Sequence, residues 1–300
     1  MRRNKLLSVL FVVALTLVLV SSSVLAVSDE VEDSVESYFA NLPADNGMIG
    51  AEAFLEKVKA GEDLFILDIR QPDVYKEGHI KGAVNVPWGP DAIPAALDKL
   101  PGDETIYVYC YTAQTANQTV ALLNFAGFEA KSVKFGWNLG ITEVDGYEEA
   151  VETTANELDG ETDYNINEDI KTAVVDYYKG LAEISDTMFK NYKISEDMLK
   201  MALDSDSDLM VVSIRQPSDY SEGHIEGAIN IPWDEGMQEY FGQLPKDKKL
   251  VVYCYTGQTA GQAVAGLRGL GYEAVSLNGG IGTPKNEPYG WTNKDYETVQ

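Results

Sequence analysis

The chain has 300 residues, room for two ordinary domains, and sets 23 basic against 48 acidic residues for a formal charge of −25. A field of that sign repels phosphate backbones, which argues against nucleic acid as a partner, and it disfavours small polyanionic substrates. Its plainer service is solubility.

Residues 1–26 read as an export signal. Arg2, Arg3 and Lys5 precede the apolar stretch LLSVLFVVALTLVLV, and VLA at 24–26 offers small residues for cleavage. The expectation is a secreted or extracytoplasmic chain beginning at Val27. The alternative is an uncleaved anchor at the outer face of the cytoplasmic membrane, the only membrane contact expected. No cysteine lies near the site, which excludes a lipid-modified end.

An internal repeat sets the architecture. IGAEAFLEKVKAGEDLFILDIRQPDVYKEGHIKGAVNVPW (49–88) aligns without a gap on ISEDMLKMALDSDSDLMVVSIRQPSDYSEGHIEGAINIPW (194–233). Upstream, SVESYFANL echoes AVVDYYKGL. One residue is lost before the chain's only two cysteines, which sit in YCYTAQTA (109–116) and YCYTGQTA (253–260). The expected division is one domain over 31–142 and a second over 170–300. Between them, 143–169 holds eleven acidic residues and no Lys or Arg, which predicts a solvated linker with some helix near YEEAVETTANEL. A calcium loop would need a ligand spacing that this segment lacks.

Within each unit, the apolar runs LFILDI, TIYVYC, LMVVSI and LVVYC suit strands buried on both faces, as a parallel sheet requires. Ala53, Phe54 and Val58 predict one helical face, matched by Met198, Leu199 and Leu203. TANQTVALLNFAGF and TAGQAVAGLRGLGY read as helices closed by Gly127 and Gly271. The expected fold is α/β, two tandem domains, each a parallel sheet flanked by helices on both faces.

That order places Cys110 and Cys254 in turns running from a strand end into a helix, the edge where open α/β sheets bind ligands. Backbone N–H groups in such a turn converge, and the helix adds its positive end. A thiolate, or an anionic adduct on its sulfur, is stabilised there. Thr115 and Thr259 are candidates for hydroxyl donors or helix caps. A lone cysteine would read as a small buried hydrophobe. Two in equivalent polar turns read as functional.

Both units resemble rhodanese domains, on the pattern D/S-I-R-Q-P-x-x-Y-x-E-G-H-I-x-G-A-x-N-x-P-W followed by C-Y-T-x-Q-T. The resemblance covers most of 34–142 and 174–300. It implies a cysteine that accepts sulfane sulfur as a persulfide and passes it to a thiol or cyanide. On that carry-over Cys254 and Cys110 are nucleophiles. The backbones of Tyr255, Thr256, Gly257, Gln258 and Thr259, and of Tyr111, Thr112, Ala113, Gln114 and Thr115, form the two anion cradles. Asp68, Arg70 and Arg215 support the strand ends, the arginines by binding neighbouring carboxylates. The expected partners are a small sulfane-sulfur donor and a thiol or cyanide acceptor, with a redox protein as a further candidate. No cofactor or metal is expected.

Cysteine phosphatases place an arginine six positions after the nucleophile; here those positions are Ala116 and Ala260. Many thiosulfate-using rhodaneses carry basic loop residues, whereas these loops hold Tyr, Thr and Gln. With the acidic field, this favours a low-charge persulfide or a protein thiol over thiosulfate. The familiar tandem rhodaneses keep only the second cysteine, and this chain keeps both. Ala113 stands where the second loop has Gly257, and a left-handed backbone there costs alanine about 1 kcal/mol. Phe135 replaces another glycine, near the pocket. Asp68 fits the family pattern where the second unit has Ser213. These differences rank Cys254 ahead of Cys110.

His79 and His224, the only histidines, read as structural members of their E-G-H-I turns, with a catalytic base as the sharper alternative. A Cys–His zinc site would need ligands that both units lack. Trp88 and Trp233 read as packing or pocket-rim residues. Two other functions remain open: a binding module with vestigial thiols, and a disulfide between Cys110 and Cys254.

Overall fold

A computed structural model describes residues 27–160, 162, 164–205 and 207–300. The expected signal segment, residues 1–26, lies outside the described residues. Among those described, no helix is long and apolar enough to cross a membrane.

The first half runs α1 (Asp29–Ala40), β1 (Met48–Ile49), α2 (Ala51–Ala60), β2 (Phe65–Asp68), α3 (Pro72–Glu77), β3 (His79–Ile80), β4 (Val84–Asn85), α4 (Ala92–Ala96), β5 (Ile106–Tyr109), α5 (Gln114–Phe125), β6 (Ala130–Val133), α6 (Gly136–Leu139) and β7 (Val151–Glu152). The second runs α7 (Glu168–Glu183), β8 (Lys193–Ile194), α8 (Glu196–Asp204), β9 (Leu209–Ser213), α9 (Pro217–Glu222), β10 (Ile229–Asn230), β11 (Lys249–Tyr253), α10 (Gln258–Gly269) and β12 (Ala274–Leu277). Each half builds a five-stranded parallel sheet, ordered β1-β6-β5-β2-β4 and β8-β12-β11-β9-β10.

The apolar runs form the central strands because both their faces are covered. Residues of β5 and β11 pair with β2 and β9 in matching register, Val108 beside Leu67 and Val252 beside Val212. Pro72 and Pro217 open α3 and α9, where a missing N–H costs nothing. Gly127 and Gly271 close α5 and α10 at φ +88° and +81°. The face expected on α2 is corrected in detail: Phe54 and Leu55 are buried while Ala53 is exposed, and in α8 the buried residues include Leu199 and Ala202 while Met198 stands out.

The halves are not beads on a tether. α5 and α10 pack against each other, and one apolar cluster runs through both halves, joining Val120, Leu123, Val264 and Leu267. Gly261 allows the approach, since a Cβ there would stand 2.6 Å from the Gln114 carbonyl oxygen. Each leading helix also crosses to the other half. Phe39 of α1 packs edge-on against Trp233 and Phe241, at 5.9 and 5.3 Å between ring centres. Tyr178 of α7 meets Trp88 at 5.3 Å.

The acidic segment behaves differently from a free linker. β7 pairs antiparallel with β3, Val84 bridges Asn156, and the Tyr164 ring packs at a tilt against Phe128, 4.7 Å between ring centres. Val151, Asn156 and Tyr164 supply contacts while Glu148, Glu149, Glu157 and Asp159 face water. The expectation of charge-driven solvation holds for these acidic side chains and fails for the backbone they decorate.

Candidate active site

Cys110 follows the last residue of β5, and Cys254 the last of β11. Both are free and buried, at 3% and 2% exposure, which removes the disulfide alternative. Each turn then passes through a left-handed residue, Ala113 (φ +68°, ψ −7°) or Gly257 (φ +82°, ψ −10°), immediately before its helix. The Gly257 N–H donates to the Cys254 sulfur at 3.1 Å. The sulfur thus sits against a backbone donor at the positive end of α10, where negative charge on it is favoured.

A close approach beneath fixes each turn. The N–H of Trp137 donates to the Cys110 carbonyl, and that of Ile281 to the Cys254 carbonyl, both at 2.8 Å. A Cβ on the preceding Gly136 or Gly280 would come within 2.5 Å of those same oxygens. Phe135 holds φ +64°, as does its counterpart Gly279. The first half therefore adopts a left-handed backbone at two non-glycine residues where the second uses glycine.

Tyr111 and Tyr255 form part of the rim. Their hydroxyls accept from the N–H groups of Gln71 and Gln216, each at 3.2 Å. Those glutamines donate to the carbonyls of Trp88 and Trp233, each at 3.3 Å, so the tryptophans stand at the rim. The Tyr255 hydroxyl also donates to Asp219, and burial together with that carboxylate pushes the phenol's pKa up.

The side chains of two cradle residues cross between the halves. Gln114 donates to Ser276 Oγ at 2.7 Å and the Leu277 carbonyl at 3.0 Å, and accepts from Gly279 N–H at 3.4 Å. Gln258 accepts from Phe135 N–H at 3.0 Å and donates to Thr256 Oγ1 at 2.9 Å. Because α5 and α10 abut, the side chains of these first helical residues tie the halves together, which leaves the cradle expected of their backbones untouched. Thr115 and Thr259 are second helical residues, and the N-caps Ala113 and Gly257 make no side-chain cap. Thr112 contributes backbone to the first turn, whose N–H lies against Gly136.

The arginines part company. Arg70 Nε donates to both Asp68 oxygens at 3.0 Å, Nη2 donates to Asp68 Oδ2 at 2.6 Å and to the Gly78 carbonyl at 2.8 Å, and the guanidinium lies 3.9 Å from the Trp137 ring centre. Arg215 also reaches the equivalent carbonyl, of Gly223, but has Ser213 in place of the aspartate, and its buried Nε has no hydrogen-bond partner among the described residues. The expected carboxylate tie is therefore present for Arg70 and corrected for Arg215. A cavity of about 410 Å³ beside it is bordered by Tyr255, Ile281 and Asp219.

Both histidines stack on the tyrosine one turn earlier, His79 on Tyr75 at 3.6 Å and His224 on Tyr220 at 4.0 Å. His79 Nδ1 faces the Tyr75 carbonyl at 2.8 Å and Nε2 the Thr154 carbonyl at 3.0 Å. With its ring fully buried and both nitrogens committed to these contacts, a general-base role has no geometry behind it.

Sequence reasoning missed the way each half closes the other's site. Trp88 Nε1 donates to Asn191 Oδ1 at 3.1 Å, and Trp233 Nε1 to Asn46 Oδ1 at 2.9 Å. Gln118 and Gln262 donate to the carbonyls of the same two asparagines, at 3.3 and 2.8 Å. Both asparagines adopt positive φ. Their equivalent places in the repeat, before β1 and β8, were the available signal.

The rhodanese-like domain family matches twice, over residues 50–140 and 195–283. Similar curated proteins include the thiosulfate sulfurtransferase PspE of Escherichia coli, 37% identical over 71 residues, which are 23% of this chain and 68% of that protein. A sulfurtransferase of Allochromatium vinosum is 33% identical over 90 residues, 30% of this chain and 83% of that one. "Probable adenylyltransferase/sulfurtransferase MoeZ" of Mycobacterium tuberculosis is 33% identical over 115 residues, 37% of this chain but only 29% of that protein. The solved structure of the 3-mercaptopyruvate sulfotransferase SseA from Escherichia coli aligns over 77% of this chain and 97% of that one, at 20% identity and a TM-score of 0.33. The chain belongs to the rhodanese-like domain family, with one such domain in each half.

Proposed function

We propose that the chain is an extracytoplasmic sulfurtransferase, or persulfide carrier, with one reactive cysteine in each half. The observation that carries this reading is the Gly257 N–H donating to the Cys254 sulfur at 3.1 Å, at the opening of α10 and the carboxyl edge of a parallel sheet. Sulfurtransferase relatives that cover single domains support the same chemistry.

In the first step a cysteine thiolate attacks the outer sulfur of a donor R–S–SH. The S–S bond breaks, R–S⁻ leaves with the electron pair, and the enzyme holds Cys–S–SH. After that group loses its proton, cyanide attacks the outer sulfur, thiocyanate departs and the thiolate returns. A thiol acceptor takes the same sulfur and forms a new persulfide. No outside oxidant or reductant is needed. The turn's N–H groups meet negative charge on the sulfur throughout, and the rim tyrosines and tryptophans limit access to water.

The second half is the better cradle, because Gly257 and Gly279 take backbone conformations that strain Ala113 and Phe135. With a low-charge persulfide donor and cyanide, Cys254→Ser should remove most turnover and Cys110→Ser should leave a substantial part. Equal losses would overturn the ranking. No turnover with any donor would favour a binding module with idle thiols.

A further inference from the structure

The buried serine on the strand beside each cysteine takes its hydrogen bond from a different source in the two halves. Ser132 of β6 pairs in register with Val108, and Ser276 of β12 with Val252, each two residues before its cysteine. Both serines are fully buried. In the first half Asn117 of α5 donates to Ser132 Oγ at 2.7 Å. Asn117 lies seven residues after Cys110; seven residues after Cys254 stands Gly261, which has no side chain to offer. Gln114 of the first half takes the missing place, donating to Ser276 Oγ at 2.7 Å. An asparagine at Gly261 would not fit, since its Cβ would stand 2.6 Å from the Gln114 carbonyl oxygen.

The borrowed carboxamide does more than replace an asparagine. Gln114 also donates to the Leu277 carbonyl at 3.0 Å and accepts from the Gly279 N–H at 3.4 Å. Both of its N–H groups and its oxygen are thus engaged in the other half, at 2% exposure. The segment it holds, Ser276 to Gly279, runs directly into Gly280 and Ile281, and the Ile281 N–H donates to the Cys254 carbonyl at 2.8 Å. Gly280 lies so near the turn that a Cβ on it would stand 2.8 Å from the Gly257 nitrogen. The Gln114 carboxamide also abuts Gly257 itself, 2.9 Å from where a Cβ would stand. Gly257 is the residue whose N–H donates to the Cys254 sulfur at 3.1 Å. The return contact is thinner. Gln258 accepts from Phe135 N–H in the first half, and turns its amide to Thr256 of its own loop.

We propose that Gln114 of the first half is a positioning residue for the Cys254 site in the second, holding Ser276–Gly279 and Gly257 so that the Gly257 N–H stays aimed at the sulfur. Gln114 touches no reacting atom and acts through the backbone of those two segments. A hydrogen bond to an ionised acceptor weakens steeply as its distance and angle degrade, so a turn that relaxes away from the sulfur makes the thiolate less favourable. The reactivity of Cys254 is therefore set in part by the half that carries Cys110. The fuller hold on the second turn also adds to the ranking of Cys254 ahead of Cys110. The consequence for sulfur transfer rests on the sulfurtransferase reading; the effect on the thiol itself does not.

The test uses the full chain and iodoacetamide, with alkylation rates mapped to each cysteine across pH. Gln114→Met keeps the length of the side chain and removes its hydrogen bonds. It should slow Cys254 about fivefold near neutral pH and move that thiol's midpoint up, while Cys110, only four residues from the substitution, changes by less than about twofold. Thr119→Val removes a different buried bond between the halves, from the Tyr178 hydroxyl at 2.9 Å, and should leave both midpoints in place. Ser276→Ala should slow Cys254 less than Gln114→Met does, and the two together should slow it no further than Gln114→Met alone. If Gln114→Met does not fold, Ser276→Ala decides, with a slower Cys254 beside an unchanged Cys110 as the expected result. An unchanged Cys254, a shift shared equally by Cys110, or the same shift in Thr119→Val would overturn the proposal. Loading with a low-charge persulfide gives a second measure: Gln114→Met should slow loading at Cys254 and spare Cys110. Alkylation involves no sulfur transfer, so absent loading of the wild type would count against the sulfurtransferase reading and leave the alkylation rates to decide the role of Gln114.

Discussion

Ala113 and Gly257 hold the same left-handed backbone, φ +68° and +82°, at the same point of two cysteine turns. Only the glycine does so without strain. Ala113→Gly should stabilise the protein by about 1 kcal/mol. Gly257→Ala should destabilise it by about 1–2 kcal/mol, because the new Cβ also meets Gln114 Cδ at 2.9 Å. Urea midpoints of the two variants check this. A destabilised Ala113→Gly would mean that the strain is not real.

The Asp68–Arg70 pair predicts an opposite response to exchange between the halves. Asp68→Asn leaves a buried guanidinium short of its carboxylate and should cost about 3 kcal/mol. Ser213→Asp offers the unpaired Arg215 Nε an acceptor and should stabilise by about 1 kcal/mol. Thermal unfolding of both variants reads the difference. A neutral Asp68→Asn would show that the Gly78 carbonyl and the Trp137 ring suffice for Arg70.

Lys193 predicts a pH dependence. Burial lowers its folded-state pKa from the ordinary 10.5, with Cys110 and Glu196 opposing. Between that lowered value and 10.5 the unfolded chain holds a proton that the folded chain has released, so stability rises with pH across this window. Lys193→Met has no such proton. The wild type should therefore gain stability relative to the variant as pH rises towards 10.5, with denaturant midpoints as the measure. A difference that stays flat with pH would contradict the desolvated placement.

Residues 1–26 lead to a prediction about export. Protein recovered from outside the cell should begin at Val27, by mass of the N-terminal peptide. Intact Met1–Ala26 on cell-bound protein would replace secretion with anchoring.

The repeat made both sheets, the cysteine turns and the strain at Ala113 legible, because each depends on residues close together in sequence. LFILDI and TIYVYC are largely apolar, and such a run suits a strand buried on both faces, with Asp68 near one end paired to Arg70. The second residue of α5, Thr115, looked like a cap because the position of the helix start by one residue is not fixed by composition. The side-chain roles of Gln114 and Gln258 were hidden because their partners, Ser276 and Phe135, lie more than 100 residues away. The crossing of α1 and α7 was equally hidden: Phe39 and Tyr178 are simply apolar positions until the partner half is in place. Acidity in 143–169 concealed the few residues, Val151, Asn156 and Tyr164, that fold the segment onto the first half.

Sulfur loading tests the central claim most directly. The chain is treated with a low-charge persulfide, freed of donor, and weighed intact beside Cys110→Ser, Cys254→Ser and the double variant. The wild type should gain sulfur removable by cyanide, more on Cys254 than on Cys110, and the double variant none. Unchanged mass of the wild type, or equal loading of the double variant, would contradict it.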